Sequence, residues 1–178
     1  MVFLVAGVIL VGALGLLNLA LSLAIVRRLR RQEEQRRVDP HAPSGPEVGT
    51  KLPTFSSPTL DGEVFASESL AGGAAALSFI TTSCGACDEF VADMPEFASR
   101  TGLDDSRIVV VIAGEQGKAR QMADRLDGLA TVVFEEAPGD ISSLYSITAT
   151  PTTVIADADQ YVTATHTGSK PALQALPA

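Results

Sequence analysis

Residues 1 to 26, MVFLVAGVILVGALGLLNLALSLAIV, contain no Asp, Glu, Lys, Arg or His. As a helix this run is about 39 Å long at about 1.5 Å per residue, more than the roughly 30 Å hydrocarbon layer of a bilayer requires. The rest of the 178-residue chain is long enough for one domain with a real core and too short for two. A cleaved signal peptide is also apolar and N-terminal, but it carries a positive region before the run and small residues after it. Here no basic residue precedes the run and RRLRRQEEQRR comes directly after it. We therefore expect an uncleaved, single-pass anchor over residues 1–26, with membrane lipid as its partner. Gly7, Gly12 and Gly15 are compatible with a membrane helix.

Arg27, Arg28, Arg30, Arg31, Arg36 and Arg37 crowd the C-terminal side of the run, with Glu33 and Glu34 between them. By the positive-inside rule this places the arginines and the remainder of the chain in the cytoplasm. Residues 38–50, VDPHAPSGPEVGT, have prolines and glycines without apolar periodicity and read as an exposed linker. The expected organisation is thus an anchor over 1–26, a basic juxtamembrane segment and linker over 27–50, and a folded domain over 51–178.

Within the domain, strand and helix patterns alternate. Asp61-Gly62 between short apolar segments marks a tight turn joining paired strands. AAALSFI over 74–80 suits a central strand, and Phe90, Val91, Met94 and Phe97 fall on one face of a helix over 85–100. Next in order are a strand at 108–113, a helix at 116–126, a strand at 131–134, a short helix at 141–146 and strands at 152–156 and 161–165. That order predicts a three-layer α/β domain with a mixed central sheet.

Both cysteines of the chain, Cys84 and Cys87, stand where the first central strand hands over to its helix. Free backbone N–H groups and the positive end of a helix favour thiolate at the first position. Two intervening residues, Gly85 and Ala86, put the second sulfur one turn on, close enough to form or resolve a disulfide. Gly85 is expected to permit the tight start. Asp88 and Glu89 would oppose thiolate formation if they faced the site. Zinc needs four ligands, and the remaining candidates are the isolated His41 and His166. Asp157 and Asp159 read as solvated turn residues, because a calcium loop needs more oxygen ligands at fixed spacing.

Residues 45–178 hold 7 Lys or Arg against 18 Asp or Glu, a net charge near −11. So acidic a domain repels phosphate backbones, and no nucleic-acid partner is expected. Ala71-Gly72-Gly73-Ala74 lacks the lysine and hydroxyl of a phosphate-binding loop.

Phe79-Ile80-Thr81-Thr82-Ser83-Cys84-Gly85-Ala86-Cys87, Met94-Pro95-Glu96-Phe97 and Thr150-Pro151-Thr152-Thr153-Val154-Ile155-Ala156-Asp157-Ala158-Asp159 together resemble the thioredoxin superfamily. The chain is most similar to its membrane-anchored disulfide reductases of the TlpA and MauD type, over roughly residues 48–178. The resemblance implies a thioredoxin-like fold behind a transmembrane helix and a thiol–disulfide oxidoreductase acting on protein thiols and disulfides, with a membrane electron donor and no cofactor or metal. It makes Cys84 the attacking and Cys87 the resolving thiol, with Ser83, Gly85 and Ala86 as neighbours. Thr150 and a cis Pro151 become the substrate platform. The pattern differs at Ser83, where tryptophan is common, at Ala86, where proline is common, at Ser78, which replaces a buried aspartate, and at Pro95, which lies about one turn later. A peroxiredoxin-like peroxidase and a copper-delivering metallochaperone share this fold and remain alternatives; the first lacks its proline before Cys84. Resemblance to anchored reductases places the domain outside the cytoplasm, against the charge count, and we expect an extracytoplasmic domain.

Overall fold

The computed structural model describes residues 44–170 and, ahead of them, the single positions Met1, Gly7, Gly12 and Gly15. The expected span, the arginine cluster and the linker as far as residue 43, His41 included, lie outside the described residues. Among the described residues no helix is long and apolar enough to cross a membrane.

A small antiparallel pair comes first, β1 (Ser56–Pro58) and β2 (Val64–Ala66). Next come β3 (Ala75–Thr81), α1 (Gly85–Thr101), β4 (Ile108–Ala113), α2 (Gln116–Ala123), β5 (Thr131–Glu135), α3 (Asp140–Leu144), β6 (Thr152–Ala156) and β7 (Val162–Thr167). The last five strands form one sheet in the order β5-β4-β3-β6-β7. β3, β4 and β5 run parallel, joined by helical crossovers, while β6 is antiparallel to both β3 and β7. This is the expected mixed sheet of a thioredoxin-like α/β domain.

The centre of the sheet is apolar on both faces because both are covered. Every residue of β4, IVVVIA, is buried, and so is every residue of β3 except Thr81. Successive side chains alternate between two cores. Leu77, Phe79, Val109, Val111 and Val154 pack with Phe65, Ile141 and Tyr145. Ala76, Ile80, Val110, Ile112 and Ile155 pack with Cys87, Phe90, Met94 and Phe97 of α1 and with Met122. The helical face predicted for α1 is the one buried: Cys87, Phe90, Val91, Met94 and Phe97 recur at one-turn spacing. Gly102 ends the helix in the left-handed conformation, its N–H donating to the Ala98 carbonyl.

Several boundaries differ from expectation, among them α3, which covers 140–144 rather than 141–146, and three differences have a clear local reason. α2 stops at Ala123 rather than Leu126, because the Leu126 N–H turns to the Ala123 carbonyl at 2.8 Å, a tighter closure than an α-helix makes. The paired strands around Asp61-Gly62 lie farther from the turn than a two-residue hairpin would put them, with Pro58 opposite Val64 and the Thr59 N–H donating to the Glu63 carbonyl. The last strand runs to Thr167 and starts at Val162, since Asp157 Oδ1 accepts the N–H groups of Asp159 and Tyr161 and holds Tyr161 in the turn. That role accounts for Asp157 without a bound ion.

Each outer strand has company. Thr59 bridges to Val133 of β5, and the Leu60 N–H donates to the Val132 carbonyl at 3.3 Å. Beside β7, the Gly49 N–H donates to the Val162 carbonyl at 2.8 Å, and the Val162 N–H donates to the Thr50 carbonyl at 2.9 Å. Part of the segment expected as exposed linker therefore belongs to the folded body, and Ser44 is buried. Its sequence context hid this: proline and glycine neighbours carry no periodicity that distinguishes a docked strip from a solvated one.

Candidate active site

β3 ends at Thr81, and the chain turns through Thr82 and Ser83 into α1. The Thr82 N–H donates to the Ala113 carbonyl at 3.0 Å, and Thr82 Oγ1 accepts the Glu115 N–H at 3.0 Å. The turn is thereby fastened to the end of β4. Cys84 is the N-cap residue of α1, in extended conformation, and its carbonyl accepts the Cys87 N–H at 3.1 Å. Both thiols are free.

The two sulfurs sit in different surroundings. Cys84 is partly exposed, whereas Cys87 is fully buried in the core under α1. Burial, joined by a hydrogen bond from Cys84, pushes the Cys87 thiol up to about 12 from an ordinary 9.0. In a desolvated site the neutral thiol is the favoured form, so Cys87 holds its proton at neutral pH in the reduced protein. The Cys84 thiol donates to the Thr150 carbonyl, with S···O 3.5 Å. The Thr150–Pro151 bond is cis, as the resemblance implied, and Pro151 is buried. The structure thus brings Cys84, Cys87, Thr150 and Pro151 together.

Ser83, Gly85 and Ala86 are exposed around the pair. The expected part played by Gly85 needs correction. Its φ lies outside the left-handed region and a Cβ there would meet nothing within 4 Å, so the helix start does not depend on glycine. Asp88 and Glu89 are exposed, and Asp88 pairs with Arg125 at 3.5 Å. His166 lies on β7, opposite Thr153. A cavity of about 550 Å³ lined by Thr59, Asp61, Asp105, Arg120 and Thr131 lies by the start of β5, at the other end of the parallel strands from the thiols.

Sequence reasoning missed two buried polar groups. Ser44 bonds the loop ahead of Pro151. Glu135, at the end of β5, accepts the Ile141 N–H at 2.8 Å and the Ser142 N–H at 3.2 Å at the start of α3. No motif announces either one.

Two cysteines one helical turn apart, at the junction of a central strand and its helix and beside a cis proline, define a thioredoxin-like thiol site. The chain belongs to the Redoxin family, whose model matches residues 47–176. Among solved structures, a Chlorobium tepidum protein described as the thiol:disulfide interchange protein DsbE is 25% identical, with a TM-score of 0.57 over 70% of this chain and 88% of its own. A secreted Mycobacterium tuberculosis disulfide oxidoreductase homologous to Escherichia coli DsbE is 24% identical, with a TM-score of 0.52 over 61% of this chain and 80% of its own. DsbF of M. tuberculosis, in mixed oxidised and reduced forms, is 22% identical, with a TM-score of 0.55 over 64% and 84%. The latter two share the fold. No curated protein matches the chain. Family and fold together support a thiol–disulfide oxidoreductase.

Proposed function

We propose that Cys84 and Cys87 are the working pair of a membrane-tethered protein disulfide reductase whose domain lies outside the cytoplasm. The observation that carries this reading is the asymmetry of the pair: an accessible sulfur at the helix start, 3.5 Å from the Thr150 carbonyl, with its partner buried one turn behind.

Cys84, as thiolate, attacks one sulfur of a substrate disulfide. A Cys84–substrate disulfide forms, and the other substrate sulfur leaves as a thiolate that takes up a proton. Cys87 then loses its proton and attacks Cys84 Sγ, releasing the second substrate thiol and closing the Cys84–Cys87 disulfide. Two electrons pass to the substrate, which leaves as a dithiol, and a dithiol donor must reduce the pair again. Thr150 and Pro151 flank the sulfur that is attacked and form the surface against which the substrate chain rests. Cys87 is suited to the second step, because a buried protonated thiol does not compete for the incoming disulfide.

Tethering is supported by the uncharged run over residues 1–26, and the outward placement by similarity to secreted and interchange proteins. Incubating the Cys87→Ser protein with a disulfide-bonded substrate should trap a mixed disulfide on Cys84; trapping equally well through Cys87 in Cys84→Ser would overturn the assignment of roles. Labelling intact cells with a membrane-impermeant maleimide after mild reduction should mark Cys84. Labelling only after lysis would place the domain in the cytoplasm.

A further inference from the structure

The loop that presents the Thr150 carbonyl to Cys84 is not held by the sheet alone. Ser44, 4% exposed, reaches it from more than a hundred residues earlier in the chain. Its Oγ accepts the Thr148 N–H and the Ala149 N–H, each at 3.1 Å, and lies 3.2 Å from the Ala149 carbonyl, to which it donates. Thr152 Oγ1, just beyond Pro151, is 3.0 Å from Ser44 Oγ and donates to the same Ala149 carbonyl at 2.8 Å. A hydroxyl has one proton and two lone pairs, so the two amides and one carbonyl use its full capacity. One side chain therefore grips the backbone on the near side of the Thr150–Pro151 bond and touches the side chain on its far side.

The next residues along the chain keep Ser44 in place. The Gly45 N–H donates to the Ser146 carbonyl at 3.1 Å. Gly45 has φ +100, and a Cβ there would fall 2.9 Å from Thr165 Cγ2, so this approach accepts only glycine without movement. The Thr165 hydroxyl donates to the Pro46 carbonyl at 2.9 Å.

We infer that Ser44 is a positioning residue for substrate: it sets the backbone of residues 148–152, and through it the carbonyl and proline surface on which a polypeptide disulfide is aligned with Cys84. The inference rests on Cys84 reacting beside Thr150. A polypeptide substrate lies along this loop and depends on its placement, whereas a small aromatic disulfide needs little more than access to the sulfur. Loss of the Ser44 hydroxyl leaves two amides seeking water and lets the loop adopt other backbone conformations, of which a fraction is competent.

The test is steady-state kinetics of the full-length Ser44→Ala protein with insulin, a disulfide-bonded polypeptide, under a dithiol reductant as electron donor, together with the single-turnover rate of the prereduced protein with 5,5′-dithiobis(2-nitrobenzoate), a small aromatic disulfide. The expected result is a rise of about tenfold in KM for insulin with kcat held within about twofold, and an unchanged rate with the small disulfide. Equal losses on both substrates, accompanied by a lower Tm, would show a purely structural residue and overturn the inference. Unchanged kinetics on both would overturn it too. Full activity of Cys84→Ser would remove the underlying reading instead, so the two failures are distinct. Should Ser44→Ala fail to fold, amide exchange in the unaltered protein decides. Protection at Thr148 and Ala149 is expected, and exchange of both at the rate of an unstructured peptide overturns the inference.

Discussion

Ser78 and Thr153 face each other across β3 and β6 with their hydroxyl oxygens 3.1 Å apart, neither reached appreciably by solvent. They occupy the core face that also holds Cys87, at a level where most residues are aliphatic. Two hydroxyls satisfy one another there, and removing one leaves the other buried without a partner. Ser78→Ala should therefore destabilise the domain by about 1–3 kcal/mol, the cost of a buried polar group left unpaired. The double variant Ser78→Ala, Thr153→Val should recover much of that loss, because both polar groups are then gone. A denaturant double-mutant cycle measures the coupling, and strictly additive effects would show that the two hydroxyls do not depend on each other.

The raised Cys87 thiol makes the stability of the reduced protein fall in alkaline solution. Between the ordinary value of 9.0 and the folded value of about 12, the unfolded chain releases the Cys87 proton and the folded chain keeps it. The unfolded state then binds fewer protons, so stability is complete below pH 9 and declines as pH rises towards 12, by an amount on the order of 4 kcal/mol. Burial also raises Tyr145, which acts in the same direction. Subtracting the pH profile of reduced Cys87→Ala from that of the reduced parent isolates the cysteine. The oxidised parent, which has no Cys87 proton to lose, should match the variant's shallower slope. Parallel profiles for reduced parent and variant would refute the assignment.

Glu135 closes the start of α3 with its carboxylate, accepting the Ile141 and Ser142 N–H groups and the Ser142 hydroxyl while only 8% exposed. Glu135→Ala should cost about 1–3 kcal/mol, since free amide donors of a helix start lose their acceptor. Gly139→Ala should also destabilise: φ is +77, and the new Cβ would run into the Glu135 carboxylate. Thermal unfolding of both variants reads this directly. A Gly139→Ala protein as stable as the parent would mean that the carboxylate is free to move aside.

What the sequence disclosed depended on how local the cause was. IVVVIA could be read as a central strand with its ends correct, because a strand covered on both faces leaves a continuous apolar run. The α1 face was legible from Phe90, Val91, Met94 and Phe97, because a helix buried on one side repeats its apolar residues at one-turn spacing. Cys84 and Cys87 stood out by spacing, and Thr150 and Pro151 by resemblance. Ser44 did not, since its partners lie 104 and 105 residues away and a single serine between prolines looks like linker. Glu135 reads as an acidic residue ending a strand, and its function exists only once α3 has folded back above it. The unequal burial of the two cysteines was also beyond reach: spacing places two sulfurs one turn apart without saying which is covered.

The strips lying along β5 and β7 have a consequence for how the sheet meets other polypeptides. An unfolded polypeptide is extended and unpaired, a ready recruit for any bare row of N–H and C=O groups. Here Thr59 and Leu60 occupy one flank of the sheet, and Gly49 to Lys51 occupy part of the other. An extended chain finds no template for strand addition where those residues lie, and the proposed docking through the loop beside Cys84 meets no competition from them. Where the flanks are covered, the sheet offers no row of free backbone groups for edge-to-edge pairing, whether with another chain or with a second copy of this one.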